Sequence, residues 1–219
     1  VTAYPKPPST AALLRSMHQR LTRLEAQVTN RTLTGLPPGT YAATVIANGG
    51  METGVGQWVT LPAYGLPGTV TANTATPIVG AGSLRVTERA YSSTPVAYCP
   101  TGQPYSPTPG VDVFPTAAGD QWLAAATIRT SVDGWGNTTL TTVYGTTPGD
   151  CFVNDGANQD WVAAAVTSPV GGTSLDIDGL TTCPDGRAYV GLVVCADDLG
   201  GIPVPWTWDL DTVTLQLRL

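Results

Sequence analysis

The sequence predicts a mainly β chain, an antiparallel β-sandwich preceded by one N-terminal α-helix. From Tyr41 onward, short alternating runs such as "YAATVIA", "WLAAATIRTSV" and "DTVTLQLRL" recur between Gly, Pro, Asn and Thr turn signals. No window in that region sustains a helical period, whereas "STAALLRSMHQRLTRLEAQVTN" near the N-terminus does. A length of 219 residues accommodates one sizeable β domain with an extension.

The helix is bounded by local chemistry. Pro7 and Pro8 prevent an earlier start, Ser9 or Thr10 can cap the free N–H groups, and Thr29, Asn30 and Thr32 followed by Gly35 end it. Leu14, Met17, Leu21, Leu24 and Val28 are spaced 3, 4, 3 and 4, the a/d seam of a coiled coil, with Arg20 at g and Glu25 at the following e. So short a helix is marginal alone in water, and its ends need support from globular domains or a larger assembly. An amphipathic helix packed on its own β domain or on a neighbouring protein is the alternative. The expected organisation is an arm and helix over 1–31, a linker over 32–40 containing "LPPG", and a β domain over 41–219.

The β domain should be a set of half-buried strands. In the last run, Val213, Leu215, Leu217 and Leu219 share one face and Thr212, Thr214, Gln216 and Arg218 the other. Asp211 has the parity of Val213 and Leu215, so the alternation aims it inward, where an unpaired carboxylate is costly. Trp58, Trp122 and Trp161 stand in strand-like runs and are expected in the core. The long Pro/Gly/Thr loops at 93–110 and 147–160 are the places where function is expected.

Charge narrows the function classes. Residues 1–31 hold five basic side chains against Glu25, a balance of +4; residues 32–219 hold five Arg against fifteen acids, −10, and the two sum to −6. An acidic body with one Lys in the whole chain is a poor phosphate binder, so nucleic acid is not an expected partner. No apolar run is long enough for a membrane helix. "VTAYPKPPST" lacks a signal-peptide core, so a chain that lost its signal earlier, or left its cell by lysis, is expected. His18 is the single histidine, which excludes a Cys/His zinc site and a Ser-His-Asp or Cys-His site within the β domain. No segment has a hydrolase or P-loop pattern, and a non-enzymatic protein is expected. Cys99, Cys151, Cys183 and Cys195 are compatible with two disulfides, Cys183 with Cys195 among the options, or with four buried thiols.

Several segments resemble known families. "RLTRLE", residues 20–25, resembles the short motif of trimeric coiled coils, which implies a parallel homotrimer with Leu14, Met17, Arg20, Leu21, Leu24, Glu25 and Val28 at the interface. "VIANGGMETGVGQW", residues 45–58, resembles the opening signature of carbohydrate-binding modules of families 4 and 9, with Met51 where Phe is usual. "GAGSLRVTERA", "DQWLAAATIRT", "DWVAAAVTSPVG" and "WTWDLDTVTLQL" resemble later strands of those modules in the same order, with Thr212 in place of an Asp. The resemblance implies a galactose-binding-like jelly roll and a structural Ca²⁺ held by Glu52 and Asp211 with backbone carbonyls. Asp211 capping a turn or accepting backbone N–H groups is the alternative to calcium. It also implies aromatic stacking on sugar rings, with Trp135, Tyr105 and Trp206 as candidates.

The combination resembles minor tail proteins of phages that infect high-GC actinobacteria. It implies a structural virion protein, fixed to other virion proteins by its N-terminal region and displaying three β domains toward host-surface glycans. A capsid decoration or head-fibre protein is one alternative, and the binding module of a secreted polysaccharide enzyme is another.

Overall fold

A computed structural model of the chain describes residues 39–46, 48–55, 58–60, 69–87, 96–99, 107–131, 138–152, 157–167, 170–196 and 207–219, all within the compact unit Pro37–Leu219. The seam residues Leu14, Met17, Arg20, Leu21, Leu24, Glu25 and Val28 lie outside the described residues.

The described residues form strands β1 (Val59–Thr60), β2 (Thr69–Asn73), β3 (Ser83–Thr87), β4 (Val96–Cys99), β5 (Phe114–Pro115), β6 (Gln121–Thr130) and β7 (Thr138–Gly145). A short 3-10 turn, Pro148–Cys151, precedes β8 (Gln159–Thr167), β9 (Ser174–Thr182), β10 (Tyr189–Ala196) and β11 (Thr207–Leu217). They build two sheets in which every strand pairing is antiparallel. Sheet one has the order β1-β4-β10-β7-β8, with β5 also on β10; sheet two has the order β2-β3-β11-β6-β9. This is the sandwich that the alternating runs predict.

The core lies between the sheets. Sheet one contributes Leu140, Tyr144, Val190, Leu192 and Val194, and sheet two contributes Leu84, Val86, Ile128, Trp208 and Leu210, all essentially inaccessible to solvent. Alternation puts every second residue of each strand into this layer. Trp58 and Trp122 are core residues, as expected. Residues 41–45 run beside the end of β11, with Ala42 N–H donating to Leu217 O (2.8 Å) and Val45 N–H to Leu215 O (2.9 Å), so the domain closes its two ends on each other.

Three expectations need correction. Between Asp211 and Thr214, β11 has one residue more than β6, and Thr212 takes a left-handed φ of 48°. This β-bulge resets the alternation. Trp208 and Leu210 point inward before it and Val213 and Leu215 after it, so Asp211 shares the outer face with Asp209. Leu219 lies beyond the strand and is 75% exposed. Trp161 is not in the main core; it is partly buried on the outer face of sheet one.

That outer face carries a second apolar cluster, where Val143 and Val193 are covered by Val113, Cys151 and Phe152. Gly191 makes this possible, because a Cβ there would meet the Phe152 ring at 2.9 Å. On the β8–β9 side the two sheets approach backbone to backbone, since Gly179 leaves room only for the Ala164 carbonyl. Cys151, Cys183 and Cys195 are not joined in disulfides. Cys183 belongs to the main core and Cys195 packs on the second cluster across sheet one, so no Cys183–Cys195 bridge forms. Burial pushes the Cys151 thiol up to about 12, which leaves it inert as a nucleophile.

Candidate functional site

Glu52 and Asp211, distant in sequence, converge on one loop. The 48–54 turn is shaped by Asn48, whose side-chain amide donates to Gly54 O (2.7 Å). It is tied to the β11 bulge by Val213 N–H donating to Gly49 O (2.9 Å). Asn48, Met51 and Thr212 are the three non-glycine residues with positive φ among the described residues, and all three belong to this turn or to the bulge. Backbone strain concentrated at one place marks it as a site held by its surroundings.

The two carboxylates clamp the β2–β3 loop. Glu52 Oε2 accepts from Ala81 N–H (2.8 Å), and Asp211 Oδ2 accepts from Val79 N–H (2.9 Å). Asp211 Oδ1 accepts from Thr212 N–H (2.7 Å). Gly80, at φ 64°, lies against the Glu52 carboxylate so closely that any Cβ there would overlap it. The backbone N–H bonds foreseen as the alternative role of Asp211 are therefore present.

The electrostatics of this pair are unfavourable on their own. Asp211 is fully buried, and its carboxyl is pushed up to about 6. Desolvation is the main cause, the Glu52 charge adds to it, and the Val79 and Thr212 N–H groups and Arg129 oppose it. One register step beyond the Leu210–Leu84 pair brings Ser83 beside Asp211, and its fully buried hydroxyl has no hydrogen-bond partner among the described residues. Two carboxylates and an orphaned buried hydroxyl are the oxygen donors a hard cation takes, so these residues fit calcium in donor type and charge. No group of three or more His, Cys, Asp or Glu residues among the described residues is arranged for a metal, so an ion here would rely on backbone oxygens as well.

The same outer face of sheet two carries an ion network. Asp209, 2% exposed, receives Arg85 Nε (2.7 Å) and Nη2 (2.8 Å) from β3 and Arg129 Nη2 (2.7 Å) from β6. Asn73 donates to the same carboxylate (3.3 Å) and to Thr76 O (2.7 Å), and Arg129 also donates to Thr76 O. The 73–81 segment is thus fastened over sheet two by charge-assisted hydrogen bonds from Asp209 at one end to Glu52 at the other.

The outer face of sheet one is different in kind. Trp161 stands opposite Val143 on β7, and Ala163, two residues on, stands opposite Thr141. Trp161 is partly buried against the second apolar cluster, while Ala163 is exposed. A partly buried indole beside an exposed methyl group is an apolar patch on which a flat apolar ring face can lie. Tyr189 flanks the cluster from β10, opposite Gly145.

Of the predicted site residues, Glu52 and Asp211 are brought together. Trp135, Tyr105 and Trp206 lie outside the described residues. The strand ends flanking positions 135 and 206 share one end of the sandwich, since Thr138 pairs with Ala196 and Ser131 N–H donates to Thr207 O (2.9 Å). Trp161 was assigned to the core by its strand-like setting. Its parity with Ala163 was visible, but nothing in "DWVAAAVTS" says which face of β8 is the inner one.

Neither protein-family models nor curated proteins give a match to this chain. Solved structures do. The CBM22-1-GH10 modules of Clostridium thermocellum xylanase 10B, complexed with xylohexaose, are 14% identical at a TM-score of 0.53, over 80% of this chain and 29% of that one. The active domain of bacteriophage CBA120 tailspike protein 4 is 13% identical at 0.52, over 80% of this chain and 21% of that one. The CBM22-1-CBM22-2 tandem of Paenibacillus barcinonensis Xyn10C is 12% identical at 0.51, over 84% and 46%. The chain therefore spans less than half the length of each of these, and at such identity the likeness is one of fold: a two-sheet jelly roll of the carbohydrate-binding-module type.

Proposed function

We propose that this chain is a non-catalytic structural protein of a phage virion, a minor tail protein whose β domain binds glycans on the host surface. The observation that carries the glycan-binding part is Trp161, partly buried on the outer face of a carbohydrate-module fold beside the exposed Ala163. The tailspike neighbour and the "RLTRLE" seam support the virion part. Three copies joined at the N-terminus would turn individually weak sugar contacts into firm attachment through effective concentration. Calcium at Glu52 and Asp211 would supply positive charge beneath the 79–81 loop, offsetting the repulsion between the two carboxylates.

A glycan array, with soluble xylohexaose as a first titration, tests the sugar reading. The wild-type chain is expected to bind at least one glycan, and Trp161→Ala or Trp135→Ala to weaken it. Silence from the wild-type protein on every probe overturns sugar binding and leaves an architectural role. Mass in solution tests the seam: the wild type should be a trimer and Leu21→Asp with Leu24→Asp a folded monomer. Thermal melting at pH 7 with calcium or with chelator tests the ion, and identical curves would remove it.

A further inference from the structure

One buried side chain is the wrong chemistry for its place. Gln159 opens β8 and is 4% exposed, yet its amide Oε1 and Nε2 both lack a hydrogen-bond partner among the described residues. No other described side chain has two buried atoms in that condition. A primary amide carries an acceptor oxygen and two donor hydrogens, so leaving all of it unpaired away from water is costly. Leu or Met would fill much the same volume without that cost. For folding alone Gln159 is a poor choice, and residues of that kind gather where function sets the requirement.

Register places the amide beside the candidate sugar platform. Gln159 pairs with Gly145 and Trp161 with Val143, so both side chains leave β8 on the outer face of sheet one. Two residues along a strand set them about 7 Å apart. Gly145 offers the amide no side chain, and the 3-10 turn closes over it: a Cβ at 145 would meet Thr147 O at 2.8 Å and Cys151 Sγ at 2.9 Å. Tyr189 stands on the far side of Gly145. β8 ends sheet one, so no further strand of that sheet stands beyond Gln159. Rotation of the side chain toward that edge and Trp161 gives up no hydrogen bond among the described residues.

Chemistry narrows what the amide takes. A planar donor–acceptor pair matches two adjacent hydroxyls, each of which both donates and accepts. Such hydroxyls stand on the rim of a sugar ring whose apolar face lies on an indole. Residues 32–219 carry five Arg against fifteen acids, a balance that disfavours uronic acids and other anionic sugars.

We infer that Gln159 is the hydroxyl-reading residue of a neutral-glycan site on β8, its amide turning out to bind a vicinal hydroxyl pair of the ring stacked on Trp161. That role rests on the glycan reading above and adds to it the ligand class and a second contact residue. A ring with both hydroxyls relieves the unpaired amide, whereas a ring lacking them leaves it unpaired, and the site discriminates by that difference.

A glycan array of neutral and uronic-acid oligosaccharides, xylohexaose among the neutral ones, tests it. The glycan bound most strongly is titrated into the full-length wild type, Gln159→Leu, Gln159→Met and Trp161→Ala, and each protein is also melted without glycan. The wild type is expected to prefer a neutral glycan. Both Gln159 variants should bind it roughly ten-fold more weakly while melting about 3 °C higher, because an unpaired buried amide has been removed. Trp161→Ala should weaken binding with no gain in Tm. Unchanged affinity in both Gln159 variants overturns the hydroxyl-reading role and leaves the glycan reading standing. Weaker binding with a lower Tm in both means that the amide supports the fold, and overturns the role as well. Preference for a uronic-acid glycan overturns the neutral class. Silence of the wild type on every probe overturns the glycan reading and this role together.

Discussion

The two outer faces of the sandwich are closed by opposite means. Sheet two is roofed by the 73–81 segment, held by Asp209, Arg85, Arg129, Asn73, Glu52 and Asp211 through hydrogen bonds and charge. Sheet one is roofed by apolar packing, with Cys151, Phe152 and Val113 over Val143 and Val193. The polar roof is directional and fixes a loop at named atoms. The apolar roof is non-directional and ends where its side chains end, which leaves Trp161 at a boundary with solvent. A binding surface is therefore expected on sheet one and a stability element on sheet two.

That contrast can be broken at several points. Phe152→Ala should cost the most, about 4 kcal/mol in urea unfolding, because the ring is 2% exposed and its loss empties the space above Gly191. A loss below about 1 kcal/mol would mean the apolar roof contributes little. Asp209→Ala should cost about 3 kcal/mol by removing the shared partner of Arg85 and Arg129, whose side chains are 30% and 20% exposed. Replacing all three residues by Met should cost less than the single change.

Asp211 supplies a smaller, pH-dependent effect. Its folded carboxyl is raised to about 6, so the proton is held more tightly in the native chain than in the unfolded one. The stability this contributes is complete below the ordinary carboxylate range and is lost as pH rises through about 6. Between pH 7 and pH 5 the chain should gain about 1.4 kcal/mol from this group without calcium. Asp211→Asn should flatten that slope, and saturating calcium should oppose it by favouring the ionised form. Trp161→Ala should matter least for folding, about 1 kcal/mol, but should weaken glycan binding more than ten-fold if the indole is the stacking surface. Equal affinity in that variant would move the binding surface away from sheet one.

Much of the architecture was legible because alternation is a period-two signal that burial enforces. The run at 213–217 and the Trp122 strand behaved as their patterns required. Asp211 shows where the signal stops. The convergence of Glu52 and Asp211 came from a resemblance, and the parity argument behind its inward placement failed at a bulge. In "DLDTVTL" the consecutive polar residues Asp211 and Thr212 set Leu210 and Val213 three apart, a break in the period that the parity argument passed over and that the pairing with β6 shows to be a bulge. Ser83 and Trp161 were missed for a related reason: the importance of each lies in which face is inner, and that depends on strands far away in sequence. The ion network around Asp209 likewise needs the order β2-β3-β11-β6 before Asn73, Arg85 and Arg129 become its neighbours.

The close approach at Gly179 bears on motion. Where β8 and β9 touch main chain to main chain, the sandwich has a spine, and the opposite side, between β1 and β2, is the fore-edge of the book. Thermal opening should begin at the fore-edge and leave the spine shut. A small side chain introduced at 179 would wedge the spine and change how the whole domain breathes, however conservative it looks in the sequence.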